Sequence, residues 1–137
     1  MTSGSIREGF PRPLLASERD ALEFVLRHSS FPEQSELLAQ AGVTTATDQC
    51  SCGCASIGLS VPHELAPASS DSESGVSTPI QNEAVVVNDA GEPIGGVLVF
   101  TKDGYLSYLE VYNYGDDPIN PFPPVTHLQA DVSVRDA

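Results

Sequence analysis

Residues 50 to 54 read Cys50-Ser51-Cys52-Gly53-Cys54 and hold all three cysteines of the chain. A thiolate trio suggests zinc, which takes four tetrahedral ligands. The usual local clamp leaves two residues between cysteines, and here there is one. In an extended strand, neighbouring members of the trio would point the same way about 7 Å apart. That is too far for two Zn–S bonds of about 2.3 Å unless the backbone bends. Gly53 could permit such a bend, and a fourth ligand would come from His63, Asp48 or His127. Redox work needs a thiol of lowered pKa and a resolving partner. The chain has no C-x-x-C, and no helix N-terminus follows the cysteines. Nucleophilic catalysis needs a base beside the thiol, such as His63 or His127, and nothing in the sequence places either one there. The spacing therefore favours small side chains packing at a bend. A metal or redox role for Cys50, Cys52 and Cys54 is kept as the alternative.

A second candidate lies in Tyr105-Leu-Ser-Tyr-Leu-Glu-Val-Tyr-Asn-Tyr114. Read as one strand, its odd positions carry Leu109 and Val111 on an apolar face. Its even positions carry Leu106, Tyr108, Glu110, Tyr112 and Tyr114. Asp116 and Asp117 follow at once. Tyrosine joins apolar area to a hydroxyl and is enriched where surfaces recognise partners. On the preceding strand Gly95 and Gly96 leave room above the sheet. Tyr108, Glu110, Tyr112, Tyr114, Asp116 and Asp117 thus form a candidate docking patch for a basic protein. The competing readings are tyrosines that merely cover an open sheet through cross-strand pairs, and self-association through the same face.

The charge balance sharpens this reading. Six Lys and Arg against nineteen Asp and Glu give a net charge of -13, with an isoelectric point near 4.2. Such a field repels phosphate backbones and anionic membranes, so nucleic acid and lipid are excluded as partners, while encounter with a basic protein is accelerated. Solubility alone also accounts for an acidic surface. No apolar run approaches the ~18 residues of a membrane span. The opening stretch M-T-S-G-S-I-R-E-G-F-P-R-P has no apolar core, so no secretory signal is expected and the expected setting is the cytoplasm. The odd cysteine count argues against a disulfide framework. No P-loop, G-x-G-x-x-G, H-E-x-x-H or G-x-S-x-G is present. His28, His63 and His127 are scattered, and no catalytic residue can be named.

The elements that must position these residues follow from periodicity. The chain's 137 residues suit one domain. Residues 1–13 read as a flexible arm, 14–125 as a single α+β domain and 126–137 as a tail. Ser17 and Asp20 resemble a capping box, and Ala21, Leu22, Val25 and Leu26 make an apolar stripe. Pro32 opens a second helix with Leu37, Leu38 and Ala41 inward, and Gly42 suits a left-handed cap. Residues 18–29 and 32–41 thus predict a helical hairpin. Val43–Thr47 is β-branched, and Ile57, Leu59 and Val61 alternate with small polar residues, which predicts two strands. Residues 62–81 read as a long loop, either partly disordered or a functional lid, with disorder the favoured reading. Glu83–Asp89, Ile94–Lys102 and Tyr105–Tyr114 predict an antiparallel meander, its second turn made by Asp103-Gly104. Pro118, Pro121, Pro123 and Pro124 predict an extended tail. The sum is a helical hairpin packed on a mainly antiparallel sheet of four or five strands.

The combination C-S-C-G-C, I-G-L-S-V, D-A-G-E-P-I-G-G-V-L-V-F and D-G-Y-L-S-Y-L-E-V-Y resembles a family of small bacterial proteins of no assigned activity. R-P-L-L-A-S-E-R-D-A-L-E-F-V-L and F-P-E-Q-S-E-L-L-A-Q fit the same pattern, over roughly residues 10 to 125. The resemblance implies a helix-then-sheet layout and a bacterial cytosolic setting, and it brings no catalytic residues. In size and charge the chain is also similar to immunity proteins that neutralise toxins.

Overall fold

The computed structural model describes residues 10–28, 34–49, 54–68, 78–115 and 117–130. The elements run β1 (Arg12–Pro13), α1 (Ala16–Arg27), α2 (Gln34–Ala41), β2 (Thr45–Gln49), β3 (Ile57–Ser60), β4 (Thr78–Val87), β5 (Pro93–Lys102), β6 (Tyr105–Asn113) and β7 (Leu128–Ala130), the last preceded by a 3-10 turn. All strand pairs are antiparallel, in the order β1-β2-β3-β6-β5-β4-β7. The α+β class with two helices is as expected, but the sheet has seven strands and not four or five. The added edges are β1 and β7, two and three residues long. Pieces that short carry no readable alternation. Arg12 and Pro13, expected in a flexible arm, pair with β2, and the expected tail forms β7. Of the expected loop 62–81, residues 69–77 lie outside the described residues and β4 begins at Thr78.

Local chemistry sets the helix ends. The N-cap of α1 is Leu15, and the reciprocal acceptor is Glu18, not the Ser17–Asp20 pair. The Leu15 N–H donates to Glu18 Oε1 at 2.8 Å, and Arg12 donates to both oxygens of that buried carboxylate at 2.8 Å each. A charge taken out of water needs this full set of partners. The set ties β1 to α1. At the end of α2, Gly42 does not take the left-handed conformation. Among the described residues the glycines with positive φ are Gly91 and Gly104. The helix instead tightens through Gly42 N–H to Ala39 O and Val43 N–H to Gln40 O. Arg19 of α1 donates to the Ala41 carbonyl at 2.6 Å, which supplies the partner that the last turn lacks.

Asp103 and Gly104 have φ of 57° and 85°, as a two-residue hairpin of matching twist requires. Both helices cover one face of the sheet, α1 over β4 and β5 and α2 over β6. That face carries Ala84, Val86, Val97, Val99, Leu109 and Val111, all buried against Leu22, Leu26 and Leu37. One polar side chain organises this interior. Gln40, fully buried, donates to Pro67 O at 2.9 Å and Gly104 O at 2.8 Å and accepts from Leu106 N–H at 2.9 Å. It fixes α2 to the β5–β6 turn and to the segment after β3. No helix among the described residues is long and apolar enough to cross a membrane.

Candidate functional site

The strand β6 is not one continuous alternation. Phe100 faces Tyr108 and Thr101 faces Leu106, so Ser107 is an extra residue, a bulge. A bulge shifts the phase of the pleat by one. Leu106 therefore joins Leu109 and Val111 in the core, and it is not on the tyrosine face where an unbroken alternation puts it. Tyr108, Glu110 and Tyr112 share the opposite, outer face, and all three are half-buried.

Register builds that face into rows. Glu83 of β4, Leu98 of β5 and Glu110 of β6 lie side by side, as do Val85, Gly96 and Tyr112. A third row runs Phe100, Tyr108, Gly58 and Asp48. Phe100 meets Tyr108 edge to face, with centroids 6.0 Å apart. Tyr112 lies over Gly96: a Cβ there would come within 2.7 Å of the ring Cζ. Its hydroxyl reaches across β5 and donates to Glu83. Burial first, and then that hydrogen bond and the surrounding negative groups, raise the Tyr112 pKa above the ordinary phenol value. Asp48 folds over Gly58, where an added Cβ would clash with its carboxylate. The face thus presents aromatic rings and the acids Asp48, Glu83 and Glu110, and these rows contain no Lys, Arg or His.

Beside this face the sheet opens. β3 stays in register with β6 through Ile57–Leu109 and Gly58–Tyr108. Then Ser56 replaces the ladder: its Oγ accepts from Val111 N–H at 2.9 Å and donates to Val111 O at 3.2 Å. The next residue turns away, with Ala55 N–H donating to Ile119 O. The gap is a cleft of about 320 Å³. It is lined by Tyr108, Glu110, Val111 and Tyr112 of β6, by Cys54 and Ser56 before β3, and by Pro118 and Ile119 after β6. Asn113 and Asp117 stand at its rim. Cys54 is half-exposed, and its thiol contacts Ser56 Oγ at 3.3 Å.

The structure therefore brings together Tyr108, Glu110, Tyr112, Asp117 and Cys54, which come from the two separate sequence candidates. Tyr114 is 64% exposed beyond the strand end, its ring 6.0 Å from that of Tyr112. Cys50, Cys52 and Asp116 lie outside the described residues. His63 stacks on Tyr105 at 3.8 Å, near the start of β6 and past the far end of β3 from Cys54. At about 3.3 Å per residue, the span from Tyr105 to Val111, where Ser56 and its neighbour Cys54 sit, is roughly 20 Å. His28 stacks on Phe24, and His127 lies 2.9 Å from Asp89. Among the described residues no three of His, Cys, Asp and Glu form a group that could hold a metal. Glu83, Leu98, Phe100 and Ser56 escaped the sequence reading, and Asp48, named there as a possible metal ligand, lies instead in the row of Tyr108. The Asp103-Gly104 turn could have given the β5 pairings, but only with the Ser107 bulge known.

No protein-family model, curated protein or solved structure matches this chain.

Proposed function

We propose that this chain is a non-enzymatic binding module that docks a basic protein in the cytoplasm through the outer face of its sheet. One observation carries the reading: both helices lie on the other face, and the outer one offers half-exposed Tyr108, Glu110 and Tyr112, with Leu98 between Glu83 and Glu110 and Phe100 beside Tyr108. Aromatic anchors ringed by charge are the usual composition of recognition surfaces. With a net charge of -13, the natural counterpart is cationic, and attraction would be screened by salt. An immunity-like role, in which an acidic protein sequesters a basic target, is one form of this proposal. The alternative is a zinc or redox role for Cys50, Cys52 and Cys54; of these Cys54 lies among the described residues, with its thiol on the Ser56 hydroxyl.

The test compares three immobilised baits in native lysate at low salt: the wild type, Glu110→Lys, and Asp20→Lys on the exposed side of α1. Both substitutions change the net charge equally. A basic protein retained by the wild type and by Asp20→Lys, lost by Glu110→Lys and released by salt, is the expected result. Retention of nothing, or equal retention by all three baits, would refute the proposal.

A further inference from the structure

We infer that the cleft beside β6 receives an arginine side chain of the docked protein, its guanidinium held by Glu110 and a tyrosine ring. This rests on the docking reading and adds the chemistry of the anchor. The cleft is small for a ligand site, so it suits one side chain and not a helix or a folded loop. Its walls differ in character. Pro118 and Ile119 offer apolar surface for a methylene stem, while Glu110 and the exposed Asp117 supply negative charge. Tyr108 and Tyr112 flank Glu110 on the same wall, at alternate positions of one strand face.

A cation completes this set. No Lys, Arg or His lines the cleft, and described arginines are engaged elsewhere: Arg12 with Glu18, Arg19 with Ala41 O and Arg27 with Glu23. Guanidinium fits better than ammonium for two reasons. It is planar and weakly hydrated, so it can lie on a tyrosine face while its fork meets a carboxylate. Its stem can pack on the apolar wall while the charge stays beside Glu110 and near the solvent rim. The wall is preset, because Tyr112 is held down on Gly96 and bonded to Glu83. Less side-chain freedom is then lost on binding.

The probe is the tripeptide acetyl-Gly-Arg-Gly-amide, titrated at low salt into the isotope-labelled full chain, with the lysine and citrulline tripeptides in parallel. The expected result is millimolar binding that shifts the amides of Tyr108, Tyr112, Asn113 and Gly115. Citrulline, which keeps the shape and loses the charge, should bind about tenfold more weakly, and so should the wild-type peptide to Glu110→Gln. Glu110 is half-exposed on the outer face, so this variant keeps the core; Asp117→Asn at the rim is the second variant, with a smaller loss. Equal shifts from all three peptides, or shifts confined to other amides, would overturn the anchor. If the peptide leaves the cleft unmoved while capture of a basic protein remains sensitive to Glu110→Lys, the anchor fails and the docking reading stands. If both fail, neither survives.

Discussion

The Tyr112 hydroxyl donates to Glu83 across the whole width of β5. The ring can lie flat enough to do so because the residue beneath it, Gly96, has no side chain. Three strands are thereby joined on the face away from the helices, where no core residue holds them.

This contact has a pH signature. The Tyr112 pKa is raised, first by burial and then by its bond to Glu83, so the folded state favours the neutral phenol. The resulting stability is fully present below the ordinary phenol value of about 10, and is lost as pH rises beyond it through the folded-state value. The tyrosinate absorbance of wild type minus Tyr112→Phe should therefore develop at higher pH than that of an ordinary phenol of pKa about 10. A difference that titrates like an ordinary phenol would show a solvated hydroxyl.

The adjacent glycines should respond unequally. A Cβ on Gly95 would strike the carbonyl oxygen of Tyr112, which is backbone in a paired strand and cannot yield. A Cβ on Gly96 meets only the far end of the Tyr112 side chain, which can lift away. Gly95→Ala should cost about 3 kcal/mol or more, and Gly96→Ala about 1 kcal/mol. Gly96→Ala should also move the Tyr112 titration back toward the ordinary range. Urea denaturation gives the ranking, and the reverse order would contradict the register.

Ser56→Ala should cost about 2 kcal/mol, because one buried hydroxyl serves both backbone groups of Val111. The Val111 amide should exchange faster in the variant. An unchanged rate would mean that the strand closes over the gap, and that the cleft does not depend on this serine.

The meander was legible because its alternation is long and Asp103-Gly104 has a single strong interpretation. The two helices were legible from Leu22, Val25, Leu26 and Leu37, which repeat at helical spacing. What failed was each feature decided by a partner distant in sequence. Gly42 has the sequence context of a left-handed cap, and nothing local reveals that Arg19 serves the helix end. Strict alternation puts Leu106 on the tyrosine face, and a one-residue bulge leaves no mark beyond the odd spacing of Leu106 and Leu109. Half of the outer face, Tyr108, Glu110 and Tyr112, was visible as a period-two pattern. Its acidic complement, Glu83 and Asp48, was not, because strand order and register decide who lies beside whom. Nor was the cleft, which exists only because Ser56 substitutes for a rung of the ladder.

The join between the two halves of the sheet is narrow: two register pairs, Ile57–Leu109 and Gly58–Tyr108, align β3 with β6, and beyond them Ser56 bonds Val111. The cleft sits at the end of this seam, with β6 on one bank and the approach to β3 on the other. A guest lodged there would act as a clasp, fastening the β1–β2–β3 flap to the rest of the molecule. Association would then tighten strands that the guest never touches.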